Sequence, residues 1–228
     1  MEIKDSVITN AEKIIFALRS LYSEKGYTPY RMSKFEEYDL YARNKDFLVS
    51  DNVITFTDVS GKLMALKPDV TLSIIKNSKD NPEQTQKLFY NENVYRVSKA
   101  SGGFKELMQA GVECFGKVDK QAICEVILLA AQSLALLSEE SVLCVSDLDI
   151  VDTILSKYNV SYERLYKAMG EKNLPEIEKL CDADDAALLE GLLSAYGPID
   201  RNIDVLDKLL ADSFVNANGA YDKFKSTL

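Results

Sequence analysis

The sequence predicts an α+β protein in which helices combine with antiparallel hairpins, followed by a segment that is entirely helical. Three observations predict this class: apolar residues at helical spacing near the amino terminus, two hairpin patterns between residues 53 and 116, and only helical patterns after residue 150. No strand–helix alternation and no glycine-rich phosphate loop occurs, which argues against a Rossmann or P-loop fold.

The first elements follow from periodicity and turn residues. A helix is expected over about residues 8–24, and Gly26 is a suitable stop for it. The stretches VITFTD and KLMALK alternate around a Ser-Gly turn and predict a hairpin. Asp69 follows Pro68 and is placed to cap the next helix.

The later elements include a second hairpin, formed by NVYRV and LMQAGVECF around the loop SKASGG. The apolar stretch ICEVILLAAQSLALL predicts a buried helix, because Glu125 and Gln132 interrupt it and it is shorter than the roughly 20 residues that span a bilayer. SVLCVSD predicts a short strand. We place a domain boundary between residues 1–149 and residues 150–228.

Charge and composition exclude several functions. Residues 1–138 hold 18 acidic and 18 basic side chains, whereas residues 139–228 hold 18 acidic and 9 basic ones, so the second part carries the whole net charge of −9. An acidic surface repels phosphates, which argues against tRNA as its partner. The chain has no histidine, and this rules out catalysis by histidine and by Ser-His or Cys-His pairs.

The second hairpin carries charged residues where a half-buried strand usually carries apolar ones. Side chains two apart on a strand share a face, so Gln109, Gly111 and Glu113 line one face, and Arg96 comes from the neighbouring strand. A strand glycine often marks the close approach of a ligand or a chain. Two interpretations are open: a solvated Arg–Glu pair contributing about 0.2–1 kcal/mol, or a pocket for a small zwitterion.

The segment LKPDVT also has two interpretations. If it is extended, Asp69 and Thr71 share a face and offer an acceptor and a hydroxyl. If it starts a helix, Asp69 caps its own backbone.

Three motifs carry a resemblance to a known family. QAGVECFG after NVYRV, ALKPDVT, and the weaker EKGYTPYRMSKFEE lie between about residues 5 and 146. Together they resemble the histidyl-tRNA synthetase-like core of class II aminoacyl-tRNA synthetases, and within that family the regulatory subunits of ATP phosphoribosyltransferase. The resemblance implies an antiparallel sheet flanked by helices and a self-dimer formed through motif 1.

The resemblance also implies roles for individual residues. Asp69 and Thr71 would hold an ammonium group, Arg96 would be the motif 2 arginine that contacts a carboxylate, and Gln109 and Glu113 would complete an amino-acid pocket.

Other positions depart from the synthetase pattern. Ser98 stands where motif 2 normally has a glutamate, Lys67 replaces an arginine, and no segment of the sequence resembles the core's last strands or motif 3. These departures imply a pocket that binds without activating its ligand, with no catalytic residue, metal or cofactor.

The function implied is that of a cytoplasmic, non-catalytic regulatory subunit of ATP phosphoribosyltransferase in histidine biosynthesis. Its partner would be a short-form catalytic subunit in a hetero-oligomer, with histidine as feedback effector and no membrane involved. Two alternatives stay open. One is a divergent or truncated histidyl-tRNA synthetase that adenylates histidine, and the other is a domain of the same ancestry with an unrelated interaction role.

Overall fold

The computed structural model describes residues 7–44, 53–78, 83–98, 101–158, 162–210, 213–216 and 219–228. It divides the chain into two compact units, Met1–Leu143 and Cys144–Leu228. The first unit is α+β, as the sequence predicts, and the helices and strands described in it are α1 (Asn10–Glu24), β1 (Thr28–Pro29), β2 (Phe35–Glu37), α2 (Tyr38–Ala42), β3 (Thr55–Thr57), β4 (Leu63–Leu66), α3 (Thr71–Asn77), β5 (Gln86–Val97), β6 (Phe104–Phe115) and α4 (Lys120–Leu137).

Two small sheets organise this unit. In the first, the long hairpin of β5 and β6 is antiparallel and β1 runs parallel to β5. In the second, β4 lies between β2 and β3, and both pairings are antiparallel. Both predicted hairpins are therefore present. Beyond the end of β5, the Ser98 backbone N–H donates to the Gly103 carbonyl at 2.8 Å, which closes the second hairpin.

Helix α1 begins at a complete capping box. The Thr9 hydroxyl accepts from the Glu12 backbone N–H at 3.3 Å, and the Glu12 carboxylate accepts from the Thr9 backbone N–H at 2.8 Å, so two free donors of the first turn are satisfied. Leu18 and Tyr22 lie on one face of the helix and pack in a buried cluster that also contains Phe89 of β5. This packing fixes α1 against the first sheet.

Helix α4 is less buried than the sequence predicts. Asp119 caps it through the Ala122 backbone N–H at 2.8 Å, but only Ala122 and Leu129 are buried, and Leu128 is 62% exposed. The prediction of a buried helix is wrong because, within the described part of the unit, α1 and β6 cover only one of its sides. By length and composition alone α4 could cross a membrane, a test that core helices of soluble proteins also pass.

The predicted strand SVLCVSD is also wrong. Residues 141–147 form no strand, and most of their side chains are exposed. Apolar alternation predicts a strand only where a neighbouring strand can pair with it, and none in the described chain pairs here.

The second unit is helical, as predicted. Its helices are α5 (Leu148–Ser156), α6 (Tyr162–Gly170), α7 (Leu174–Leu180), α8 (Ala183–Ser194), α9 (Ile199–Leu210) and α10 (Ala220–Lys225), with a short 3-10 turn at Phe214–Asn216. Asp147, Asn173 and Asp182 cap α5, α7 and α8 with their side chains. Leu155, Leu165 and other apolar residues from these helices form one core.

Candidate functional site

The register of β5 and β6 decides which polar side chains share a face. Residues directly opposite each other in an antiparallel pair project to the same side of the sheet. The pairs on one face are Leu88–Glu113, Tyr90–Gly111, Glu92–Gln109, Val94–Leu107 and Arg96–Lys105. Arg96, Gln109 and Glu113 therefore lie on a common face.

The segment that precedes α3 runs along the edge of β5, and side-chain hydrogen bonds connect it to this face. The Tyr95 backbone N–H donates to the Lys67 carbonyl at 2.9 Å, and Arg96 Nε donates to the Pro68 carbonyl at 3.1 Å. Thr71 Oγ1 donates to Glu113 Oε1 at 2.7 Å. The structure thus brings the segment that carries Thr71 to the charged part of the hairpin, although the two are distant in sequence.

For Asp69 the structure favours the helix-start interpretation over the extended one. The segment is not extended, because α3 starts at Thr71 with Val70 as its N-cap. Asp69 Oδ1 accepts from the Leu72 backbone N–H at 3.3 Å, so it does bond the first turn, although through a long hydrogen bond. Its charge also acts on the hairpin, because it helps to raise the pKa of Glu113.

Glu113 is the carboxylate whose ionisation is most affected at this face. Burial raises its pKa, and the nearby Asp69 carboxylate raises it further, while the hydrogen bond from Thr71 opposes both. A cation beside Asp69 and Glu113 would relieve this repulsion. The two carboxylates and the Thr71 hydroxyl are acceptors of the kind that an ammonium group needs.

The interpretation of Arg96 and Glu113 as a solvated cross-strand pair is wrong. Arg96 is opposite Lys105 and Glu113 is opposite Leu88, so the two are not neighbours across the ladder. Among the described residues, the hydrogen bond that the Arg96 side chain makes is with the Pro68 carbonyl.

Gly111 has an explanation within the chain. A Cβ at this position would lie 2.7 Å from the Tyr90 hydroxyl and 2.8 Å from Tyr90 Cζ. The glycine therefore leaves room for the Tyr90 ring, which lies across the strand beside Glu113. Packing of the Tyr90 ring therefore explains this glycine, and the close approach of a ligand is not needed to explain it.

Sequence reasoning missed an ion pair in this face. Lys67 Nζ lies 2.5 Å from Glu92 Oε2, and the Lys67 side chain is only 1% exposed. Glu92 is directly opposite Gln109, so the pair adjoins the predicted pocket. The signal was available in part, since Lys67 lies two residues after the buried Ala65 and so continues the inward-facing positions of KLMALK.

Gln109 Oε1, on this face, is buried and has no hydrogen-bond partner within the described chain, and the same holds for the hydroxyl of Tyr41, which packs with Ala65 and Leu72. Buried polar groups are nearly always paired, so each such atom needs a physical reason. No group of three or more Cys, Asp or Glu side chains in the described ranges could hold a metal ion. The carboxylates of Asp69 and Glu113, the Thr71 hydroxyl and the Gln109 amide are groups that can hydrogen-bond a small polar molecule.

A sheet with one parallel strand beside a long antiparallel hairpin, flanked by helices, agrees with the fold of a class II aminoacyl-tRNA synthetase-like protein. The sequence model described as histidyl-tRNA synthetase matches residues 2–225. The chain belongs to that family.

Curated relatives carry two different names. A histidine–tRNA ligase of Methanocaldococcus jannaschii is 27% identical over 172 residues, covering 74% of this chain and 39% of the relative. An ATP phosphoribosyltransferase regulatory subunit of Bacillus cereus (strain G9842) is 25% identical over 228 residues, covering 92% of this chain and 52% of the relative. The chain therefore spans about half, or less, of the length of these relatives.

Solved structures support the fold. An ATP phosphoribosyltransferase regulatory subunit/histidyl-tRNA synthetase from Bacillus halodurans C matches with a TM-score of 0.71 and 21% identity, over 95% of this chain and 60% of that one. An ATP phosphoribosyl transferase (HisG:HisZ) complex from Thermotoga maritima matches with a TM-score of 0.55 and 20% identity, over 96% and 78%.

Proposed function

We propose that this chain acts as a non-catalytic regulatory subunit of ATP phosphoribosyltransferase in histidine biosynthesis. In this proposal residues 1–149 are the synthetase-like core and residues 150–228 a helical addition to it. A separate short-form catalytic subunit performs the reaction in a hetero-oligomer in the cytoplasm. The core also pairs with a second copy of itself, and histidine bound in the core is the feedback effector.

One observation carries the proposal: the part of the site suited to an ammonium group is assembled, while the part that would serve ATP lacks its usual charges. Thr71 bonds Glu113, and Asp69 acts on the same carboxylate. Motif 2, by contrast, has Ser98 in place of its carboxylate. Adenylation depends on charged groups that position and stabilise the phosphates. A site without them binds an amino acid but does not activate it.

The names of the relatives support the proposal that the partner is an ATP phosphoribosyltransferase. A curated relative over 92% of the chain is named a regulatory subunit, and a structural neighbour belongs to a complex with the transferase. Feedback through this site would be a coupling free energy between effector and catalytic sites, typically about 1–3 kcal/mol.

The test is to measure the phosphoribosyltransferase rate of a short-form catalytic subunit from the same organism, with and without this full chain and with added histidine. We expect the chain to raise the rate and histidine to lower it again. No change in either case contradicts the proposal. Histidine-dependent exchange of pyrophosphate with ATP by the chain alone would instead favour the synthetase alternative.

The amino-acid site is tested by titration calorimetry with L-histidine. Asp69→Asn and Glu113→Gln each remove a charge from the ammonium side, and each should weaken binding about tenfold or more. Glu106→Gln is the matched control, because Glu106 lies on the same strand but faces the other side of the sheet, where it accepts from Asn93 and Tyr95. Equal affinity in all three variants would remove this face from the proposal.

A further inference from the structure

Tyr41 is a buried residue whose hydroxyl is not explained by the packing of the fold. It lies on α2, is 0% exposed, and packs in one buried cluster with Ala65 and Leu72. Its hydroxyl has no hydrogen-bond partner among the residues that the structure describes. A buried hydroxyl without a partner destabilises the folded state, since it has lost its hydrogen bonds to water. Phenylalanine would fill the same space without that cost.

The position of the hydroxyl connects it to the amino-acid site. Leu72, which packs beside Tyr41, donates its backbone N–H to Asp69. The pKa of Tyr41 is raised by its burial and then by the Glu36 and Asp69 carboxylates, so the hydroxyl keeps its proton beside two acceptors. It can therefore donate a hydrogen bond to either carboxylate if the distance closes.

Of the two carboxylates, Asp69 is the one with free capacity. Glu36 already accepts from Ser73 Oγ at 3.2 Å and pairs with Lys76 Nζ at 3.5 Å. Within the ranges that the structure describes, Asp69 accepts one long hydrogen bond of 3.3 Å, from the Leu72 backbone N–H. A small turn of the Asp69 side chain would exchange this weak bond for a stronger one from the phenol.

We propose that Tyr41 is a positioning residue for Asp69: its hydroxyl donates to the Asp69 carboxylate when a ligand with an ammonium group occupies the site. The inference rests on the amino-acid site of the proposed function. In the free chain the hydroxyl has no partner among the described residues, and its hydrogen bond forms in the complex. The same atom therefore lowers the stability of the free chain and raises its affinity for the ligand.

Tyr41→Phe tests this through two effects of opposite sign. The melting temperature of the free chain should rise by about 2–4 °C, because the unpaired buried hydroxyl is gone. The affinity for L-histidine, measured by calorimetry, should fall about tenfold, because the Asp69 carboxylate loses a donor that holds it. A residue with a merely structural role would change the first quantity and leave the second unchanged.

Ligand analogues localise the effect to the ammonium group. Histidinol keeps that group and lacks the carboxylate, so its affinity should fall by the same factor as that of histidine. Imidazolepropionate lacks the ammonium group, so its affinity should be the same for Tyr41→Phe and the wild-type chain. Equal losses for all three ligands would contradict a role through Asp69.

Tyr27→Phe is the matched control. Tyr27 is also buried, but it packs with Leu18, Phe89 and Leu129 instead of with the Asp69 segment, and its hydroxyl interacts with Glu125. This variant removes a buried hydroxyl away from the site, so it should bind histidine as the wild type does.

The outcomes separate the two proposals. If the wild-type chain binds histidine and Tyr41→Phe binds it equally well, the role of Tyr41 is overturned and the proposed function stands. If Tyr27→Phe loses affinity as Tyr41→Phe does, the loss is a general effect of altered packing, and the role of Tyr41 is again overturned. If the wild-type chain binds no histidine, the effector part of the proposed function fails, and the role of Tyr41 fails with it.

Discussion

The two units of the chain bury polar groups in different ways. In the helical unit, Asp185 at the start of α8 is nearly buried and accepts from both the Lys157 ammonium and the Tyr158 hydroxyl. Its backbone N–H donates to Asp182 Oδ1 at 2.9 Å, and Asp182 lies 3.6 Å from Lys157 Nζ. Each member of this cluster has a partner, and the cluster ties α5 to α8.

The sheet face of the first unit is only partly satisfied. Lys67 and Glu92 form a pair, but Gln109 Oε1 on the face, and the Tyr41 hydroxyl in the neighbouring cluster with Ala65 and Leu72, are buried without partners in the described chain. Glu113 is held by one hydroxyl and is affected by a second carboxylate. A polar cluster whose members all have partners stabilises the fold, whereas one with unpaired buried atoms is expected where a ligand completes the hydrogen bonds.

The largest effect should come from the paired part of the sheet face. Lys67→Met leaves the Glu92 carboxylate largely buried without its cation, and we expect the free energy of unfolding to fall by about 3–5 kcal/mol in urea. The same change at Lys62, whose pair with Glu37 is half exposed, should have little effect on the free energy of unfolding, because water screens that pair. Equal losses at the two lysines would show that the Lys67–Glu92 pair is no more than a surface contact.

A smaller effect is expected in the helical unit. Asp185→Asn removes the charge that Lys157 and Tyr158 share, and should lower the free energy of unfolding by about 1–3 kcal/mol. Lys157 is partly exposed and can return to water, which limits the loss. Asp184→Asn, at an exposed position on the same turn, should change it by less than about 1 kcal/mol.

This variant also tests the contrast between the units. Because the Asp185 cluster is complete in itself, Asp185→Asn should leave the affinity for histidine unchanged. A loss of affinity as large as that of Asp69→Asn would remove the distinction between a structural cluster and a binding one.

What the sequence predicts well depends on local periodicity. The alternation of side chains along a strand needs no tertiary information, so the shared face of Gln109, Gly111 and Glu113 follows from parity alone. The register then adds Arg96 to that face. The family resemblance supplies the reason to connect it with the segment around Asp69 and Thr71.

What the sequence predicts poorly depends on partners that are distant along the chain. SVLCVSD alternates as a strand does but has no strand to pair with, and α4 is apolar but is covered on one side only. Lys67 and Glu92 are 25 residues apart, and neither position alone indicates the other. The unpaired hydroxyl of Tyr41 is likewise a property of the packed structure.

The smallest effect on stability is expected at Glu113, where the direction of the change is what tests the interpretation. Because the pKa of Glu113 is raised in the folded chain, the folded state binds more protons than the unfolded state at pH values between the ordinary glutamate pKa of about 4.3 and the raised one. The contribution of this residue to stability is therefore present at low pH and is lost as the pH rises through that window. Glu113→Gln keeps the neutral form and an acceptor for Thr71 at every pH.

We therefore expect Glu113→Gln to raise the urea midpoint modestly at pH 7, and the difference from the wild type to disappear below about pH 4. Glu106→Gln on the same strand should show the opposite sign. Hydrogen bonds from Tyr95 and Asn93 lower the pKa of Glu106, so its ionised form stabilises the fold at neutral pH and that contribution is lost as the pH falls. Urea midpoints that shift in the same direction for both variants at pH 7 would contradict the conclusion that burial and the Asp69 charge destabilise ionised Glu113.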